Sequence, residues 1–253
     1  MKTETFLKSI LLAFVITSLF SSCTTSENGQ VAPKALSSAG LQKPYKDKVL
    51  DAEGQKALTP DAVIRSLKEG NRRFMGNDLT KRDHSALVRD AAIGQYPKAV
   101  ILSCMDSRIT VEDLFDKGIG DLFVCRIAGN FVDEDILGSM EYGCKVSGAK
   151  LIVVMGRNHC GAIKSAVDDV RMGNITEMLT KIKPAVALSQ DFKGEKNSKN
   201  KEYLDCVSKN NVRHAIEAIK LKSPILKEMS DKGEIKIVGA FYDLETGEVT
   251  FME

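Results

Sequence analysis

Residues 98–108 read KAVILSCMDSR, and residues 150–161 read KLIVVMGRNHCG. Each opens as an unbroken apolar run, the pattern of a strand buried on both faces. Each then breaks abruptly into polar, chemically active residues. A third such run, DLFVCRIA, occupies 121–128. Between and after these runs the apolar residues recur at helical spacing. Helices are predicted over 60–75, 84–93, 136–147 (Leu137, Met140, Tyr142 and Val146 inward), 161–170, 175–187 (interrupted at Pro184) and 203–222. Two more strands, 235–242 and 249–252, flank DLETGE, a turn signal with Gly247. Strands alternating with helices predict an α/β fold, with a mostly parallel β-sheet and helices on both faces. In such sheets, sites form beyond the carboxyl ends of the strands.

Working outward, the chain has 253 residues, 36 Lys+Arg against 34 Asp+Glu, and a formal net charge of +2. That balance excludes a generally basic nucleic-acid binder. An apolar fraction of 43% excludes a disordered chain. Six cysteines in this length are too sparse for a disulfide scaffold.

Lys2 and Lys8 bracket a short positive region, and SILLAFVITSLF follows from Ser9 to Phe20. The run is shorter than the roughly 18–20 residues that span a bilayer, and it fits a signal-peptide core. Ser21, Ser22 and then Cys23 resemble a bacterial lipoprotein cleavage box, with Phe20 where Leu is usual. The resemblance implies a lipid anchor at Cys23. It also implies a place in the bacterial cell envelope, on the periplasmic side or in the outer membrane. The expected division is a signal peptide over 1–22, a flexible tether over 23–50, and one folded domain over 51–253. Gln190 to Lys201 reads as a solvated loop.

The predicted strand ends deliver Cys104, Asp106 and Arg108 from one side and Arg157, His159 and Cys160 from the other. Two thiols leave two buried strands at the same sheet edge, each near a helix N-terminus, where thiolates are favoured. Thiolate pairs joined by a nitrogen or carboxylate form tetrahedral zinc sites. Cys125, Cys144 and Cys206 read as packing residues, and His84 and His214 as helix residues away from the strand ends.

CMDSR, followed about fifty residues later by a strand and then CGA, resembles the β-class carbonic anhydrases. LKEGNRRFM, GQYPKAVILSCMDSR, DLFVCRIAGNFVDEDILGSMEYG, SPIL and VGAFYDLETGEVTF are similar to family segments in the same order. The resemblance implies zinc-dependent reversible hydration of CO2 to bicarbonate, a C-terminal edge hairpin, and a homodimer or higher assembly with sites near the interface. It implies Cys104 and Cys160 as metal ligands, and Asp106 with Arg108 as a dyad in which the arginine orients the carboxylate. Gln95 matches a residue that donates to bicarbonate and acts across the dimer interface.

One residue departs from the pattern. The family string is G-H-x-x-C-G, and here it is GRNHCG, so Arg157 stands where the ligand histidine belongs. Arginine stays protonated and offers no lone pair to a metal. Three arrangements remain open. His159 supplies the missing nitrogen; or Cys104, Asp106 and Cys160 hold zinc with water as the fourth ligand; or zinc is lost. In the last case the chain is a non-catalytic homologue that binds bicarbonate or another small anion through Arg157 and Arg108. Hydrolysis of a related small molecule such as carbonyl sulfide is a further enzymatic reading.

Overall fold

The computed structural model describes residues 48–252. The expected signal peptide, Cys23 and most of the expected tether fall outside the described residues. The elements run α1 (Ala52–Lys56), α2 (Pro60–Met75), α3 (His84–Ala91), β1 (Ala99–Ser103), α4 (Val111–Leu114), β2 (Leu122–Arg126) and α5 (Glu134–Glu141). After α5 come a π-helical turn (Tyr142–Val146), β3 (Leu151–Arg157), α6 (Gly161–Val167), α7 (Gly173–Thr180) and α8 (Lys183–Ala187). The chain finishes with α9 (Lys201–Lys222), α10 (Pro224–Asp231), β4 (Lys236–Tyr242) and β5 (Val249–Phe251). No helix among the described residues is long and apolar enough to cross a membrane.

The five strands lie in the order β2-β1-β3-β4-β5. All neighbours are parallel except β4 and β5, which form the expected antiparallel edge hairpin. Side chains of alternate strand residues feed two cores, one on each face. Ile101 and Val153 pack with Leu67, Phe115, Ile163 and Tyr203. Val100, Leu102, Ile152 and Val154 pack with Met140, Cys144, Val212, Ile219 and Leu226 on the other face. This alternation is the period-2 geometry of a strand, with both faces covered by helices.

Helix starts follow local chemistry. The Thr59 hydroxyl accepts from the Ala62 N–H at 3.2 Å and Pro60 opens α2; the Asp133 carboxylate caps α5 from the Ile136 N–H at 3.0 Å. Both satisfy backbone donors that a helix leaves unpaired.

Several expectations change. The run at 121–128 is an edge strand rather than a buried one, because β2 has β1 on one side only and its residues are partly exposed. The helix after it switches to π-helical winding at Tyr142. Leu137 and Met140 face inward as expected and Cys144 joins them, whereas Tyr142 and Val146 point outward, 53% and 68% exposed. The break in 175–187 falls before Pro184, which starts α8 in its first turn, where a missing N–H costs nothing. The short helices α4 and α10 carry too few residues for periodicity to reveal.

Candidate active site

Parallel pairing of β1 with β3 puts their C-terminal ends side by side, with Leu102 opposite Val154. The segments that follow therefore meet. Helix α9 supports this edge from one face. A Cβ on Gly156 would lie 2.7 Å from Val212 Cγ2, so only glycine lets α9 come this close. The Ser208 hydroxyl of α9 donates to the Arg157 carbonyl at 2.9 Å. The next residue, Asn158, is tied to the β4–β5 turn. Its amide donates to Asp243 Oδ1 at 3.0 Å, and its Oδ1 accepts from the Leu244 N–H at 3.0 Å.

Cys104 and Cys160 are both buried, 3% and 4% exposed. The neighbouring Cys160 side chain, the Gly129 N–H and the Arg157 guanidinium pull the Cys104 pKa down to about 5 against the opposing effect of burial. Cys104 beside it, together with burial, pushes Cys160 up.

Asp106 forms the expected dyad. Its Oδ1 accepts from the Arg108 N–H and Nε, each at 2.9 Å, and its Oδ2 accepts from Arg108 Nη2 at 2.8 Å. Arg108, with Arg157 behind it, holds the carboxyl well below the usual carboxylate range, burial opposing. Bidentate guanidinium pairing of this kind keeps a half-hidden carboxylate ionised. Asp106 is thus an acceptor at every ordinary pH and no proton donor.

Arg157 is the decisive residue. Its side chain is 4% exposed and its Nη2 lies 2.6 Å from Asp106 Oδ2 and 3.5 Å from Cys104 Sγ. Nη1 donates to the carbonyls of Asn158 and His159 at 3.1 and 2.6 Å. Its Nε is buried without a partner. The guanidinium is inserted among the very donors that the sequence assigns to a metal.

His159 does not join them. Its backbone is left-handed, φ +52, which turns the ring away from Cys160. The ring Nε2 instead meets Glu245 Oε1 at 2.9 Å, 35% exposed. The expectation that His159 replaces the missing ligand is corrected by this placement. Gln95 is exposed and precedes β1, so it sits at the opposite sheet edge from Cys104 within one chain. His84 opens α3 and His214 lies in α9, both as read from the sequence. Cys144 is fully packed, while Cys125 and Cys206 are only partly buried.

Arg126 went unnoticed in the sequence. It ends β2, and its Nε and Nη2 donate to the carbonyls of Cys104 and Asp106 at 3.2 and 2.5 Å. It clamps the CMD segment against the neighbouring strand. The signal was an arginine inside an apolar strand run, beside β1 in the sheet.

The family model described as carbonic anhydrase matches residues 99–249. The chain belongs to the β-class carbonic anhydrase family. Carbonic anhydrase 2 of Mycobacterium tuberculosis is 34% identical over 197 residues, covering 74% of this chain and 90% of that protein. The carbonic anhydrase of Mycolicibacterium smegmatis is also 34% identical, covering 75% and 92%. Among solved structures, the β-carbonic anhydrase CcaA superposes with a TM-score of 0.60 at 22% identity, covering 75% of this carbonic anhydrase-family chain and 95% of the other. Tetrameric β-carbonic anhydrases of the ascomycete Sordaria macrospora give 0.59 at 24%, covering 66% and 86%. The likeness to these structures establishes the fold.

Zinc is the general metal of the family, and the donors here do not accept it as arranged. No group of three or more His, Cys, Asp or Glu side chains among the described residues is placed to hold a metal ion. Asp106 is committed to two guanidinium groups, and the Arg157 head supplies a fixed positive charge within 3.5 Å of Cys104. A dication and a guanidinium repel at that range.

Proposed function

We propose that the protein is a carbonic anhydrase catalysing reversible hydration of CO2 to bicarbonate, with Arg157 attenuating it. The observation that carries the reading is the Asp106–Arg108 dyad, retained beside two thiols at the C-terminal sheet edge. In this role the ionised Asp106 accepts a hydrogen bond from a hydroxyl of the substrate pair and orients it. Arg108, whose side chain is 57% exposed, holds the carboxylate in place and faces the approaching anion. Arg126 fixes the backbone carrying both residues. Zinc, held by Cys104, Cys160 and Asp106, would require Arg157 to withdraw first. No chemical step is assigned to the metal while the guanidinium stands there.

The same reading assigns a homodimer or higher assembly, in which Gln95 of one chain serves the site of the other. It also assigns a lipid anchor at Cys23 and a location in the bacterial cell envelope, supported by the N-terminal sequence alone. Cys23→Ser tests the anchor: the protein should leave the membrane fraction, and retention there refutes it.

Arg157 favours a second reading, a non-catalytic site for bicarbonate or another small anion. Stopped-flow CO2 hydration, with metal content measured on the same samples, separates the two. Acceleration by the wild type that rises with bound zinc supports the enzyme. Acceleration by Arg157→His alone, with bicarbonate binding retained by the wild type, supports the second reading.

A further inference from the structure

Helix α9 supports the candidate active site with its first half, through Ser208. Its second half, from Asn211 to Lys222, lines a cavity of about 330 Å³. The α7–α8 corner contributes Thr180, Lys181 and Pro184, and the loop between β2 and α5 contributes Phe131 and Val132. The volume is that of a small-molecule site. None of Cys104, Asp106, Arg108, Arg157, His159 or Cys160 lines it.

The lining specifies an occupant. Phe131, Val132, Pro184, Ala215 and Ala218 offer apolar surface. Lys181 and Lys222 make no hydrogen bond or ion pair among the described residues, and neither do His214 and Glu217. Two lysines against one glutamate leave the cavity net positive with His214 neutral, which suits a single carboxylate. Asn211 is 1% exposed. Its Nδ2 donates to the Gly129 carbonyl at 2.7 Å, while its Oδ1 is buried and has no donor. A buried acceptor in that state costs folding free energy that a donor recovers.

We propose that this cavity binds a small aromatic hydroxycarboxylate. The carboxylate pairs with Lys181 and Lys222, the ring packs on Phe131, Val132 and Ala218, and the hydroxyl donates to Asn211 Oδ1. A ring keeps the two polar ends apart on a rigid apolar body, which limits the entropy lost on binding. Asn211 also holds Gly129, three residues beyond Arg126, so the occupant bears on the loop that follows the Arg126 clamp. The proposal stands whichever reading of the candidate active site holds.

The test is calorimetric titration of the full chain with 4-hydroxyphenylacetate, which should bind saturably, one molecule per chain. Phenylacetate, lacking the hydroxyl, should bind several-fold more weakly. Tyramine, with an ammonium in place of the carboxylate, should not bind. Lys222→Glu should weaken binding about tenfold or more, the worth of one charged hydrogen bond. Ala218→Phe, which fills the cavity, should abolish binding, and Arg108→Gln should leave it unchanged. Absence of saturable binding, equal binding of tyramine, or binding that survives Ala218→Phe or is lost in Arg108→Gln would overturn the proposal. So would an oligomer that covers the cavity, seen as no binding together with a changed sedimentation rate for Ala218→Phe. The wild-type ranking of the three compounds is informative even if a variant fails to fold: any order but the expected one refutes the assignment.

Discussion

Replacing Arg157 with histidine should convert a site that resists zinc into one that takes it, and the size of the change can be worked out. Admitting a metal to the wild type means withdrawing a guanidinium that is 4% exposed and pairs Asp106 at 2.6 Å. Breaking a buried charge pair costs about 3–5 kcal/mol. At 1.4 kcal/mol per decade this weakens zinc binding by roughly two to four powers of ten. Consider free zinc at about a hundredfold excess over the dissociation constant of Arg157→His. The variant then gains about 2.7 kcal/mol of stability, and the wild type at most about 0.4. For a domain of this size each kcal/mol moves Tm by about 2–4 °C. The variant should therefore rise by about 5–11 °C and the wild type by less than about 2 °C. The assay is thermal unfolding of each protein with and without zinc, each compared with its own metal-free melt. The metal-free variant should itself melt below the wild type, because Asp106 and Cys104 lose their shared cation. Arg157→Ala, which removes the blocking charge without adding a ligand, should fall between. An equal zinc shift in wild type and Arg157→His would refute the argument that the guanidinium occupies the metal's place.

Other expectations follow from the same geometry. His159→Ala should leave zinc affinity of the Arg157→His protein unchanged by titration, since the ring faces Glu245; a loss would restore His159 as a ligand. The Asp116 carboxylate is fully buried and accepts from Arg73 Nε at 2.5 Å and Arg82 Nη1 at 2.7 Å. Asp116→Ala should cost about 3–5 kcal/mol in denaturant unfolding, and a cost under about 1 would refute the pairing. Burial lowers the Lys117 pKa from 10.5 to about 8, so between these values the unfolded chain binds more protons than the folded one. Stability contributed at Lys117 should therefore rise with pH across that window, and Lys117→Met should flatten the rise; an identical slope in both proteins counts against it. Gly156→Ala should lower both stability and activity, because the added Cβ meets Val212 at 2.7 Å; an unchanged melt would show that α9 yields freely.

The parallel sheet was legible because buried strands advertise themselves as apolar runs, and because 98–108 and 150–161 change character so sharply at their ends. The dyad was legible for a similar reason: Asp106 and Arg108 are two residues apart, so backbone geometry alone brings them into contact. The phase of the helix after β2 was not. Leu137 and Met140 set the inward face, and Tyr142, about 200° further round than Met140 at 3.6 residues per turn, lies opposite it. The edge position of β2 was hidden because a strand's neighbours are set by topology rather than by its own residues. Arg126 escaped notice because its acceptors, the carbonyls of Cys104 and Asp106, lie on another strand.

By itself, the sequence determined that this chain carries an arginine where its family carries a ligand histidine, and that only His159 stood near enough in sequence to replace it. Only the tertiary structure decided between the remaining arrangements. A long side chain goes where its charge finds partners, and two of those of Arg157, Asp106 and Cys104, lie far back in the sequence on the segment after β1. His159 is turned outward by a left-handed backbone that the loop anchored at Asn158 imposes. The identity of each residue is a local fact, but whether a thiolate faces a metal, a cation or another thiol depends on contacts that exist only once the sheet has closed.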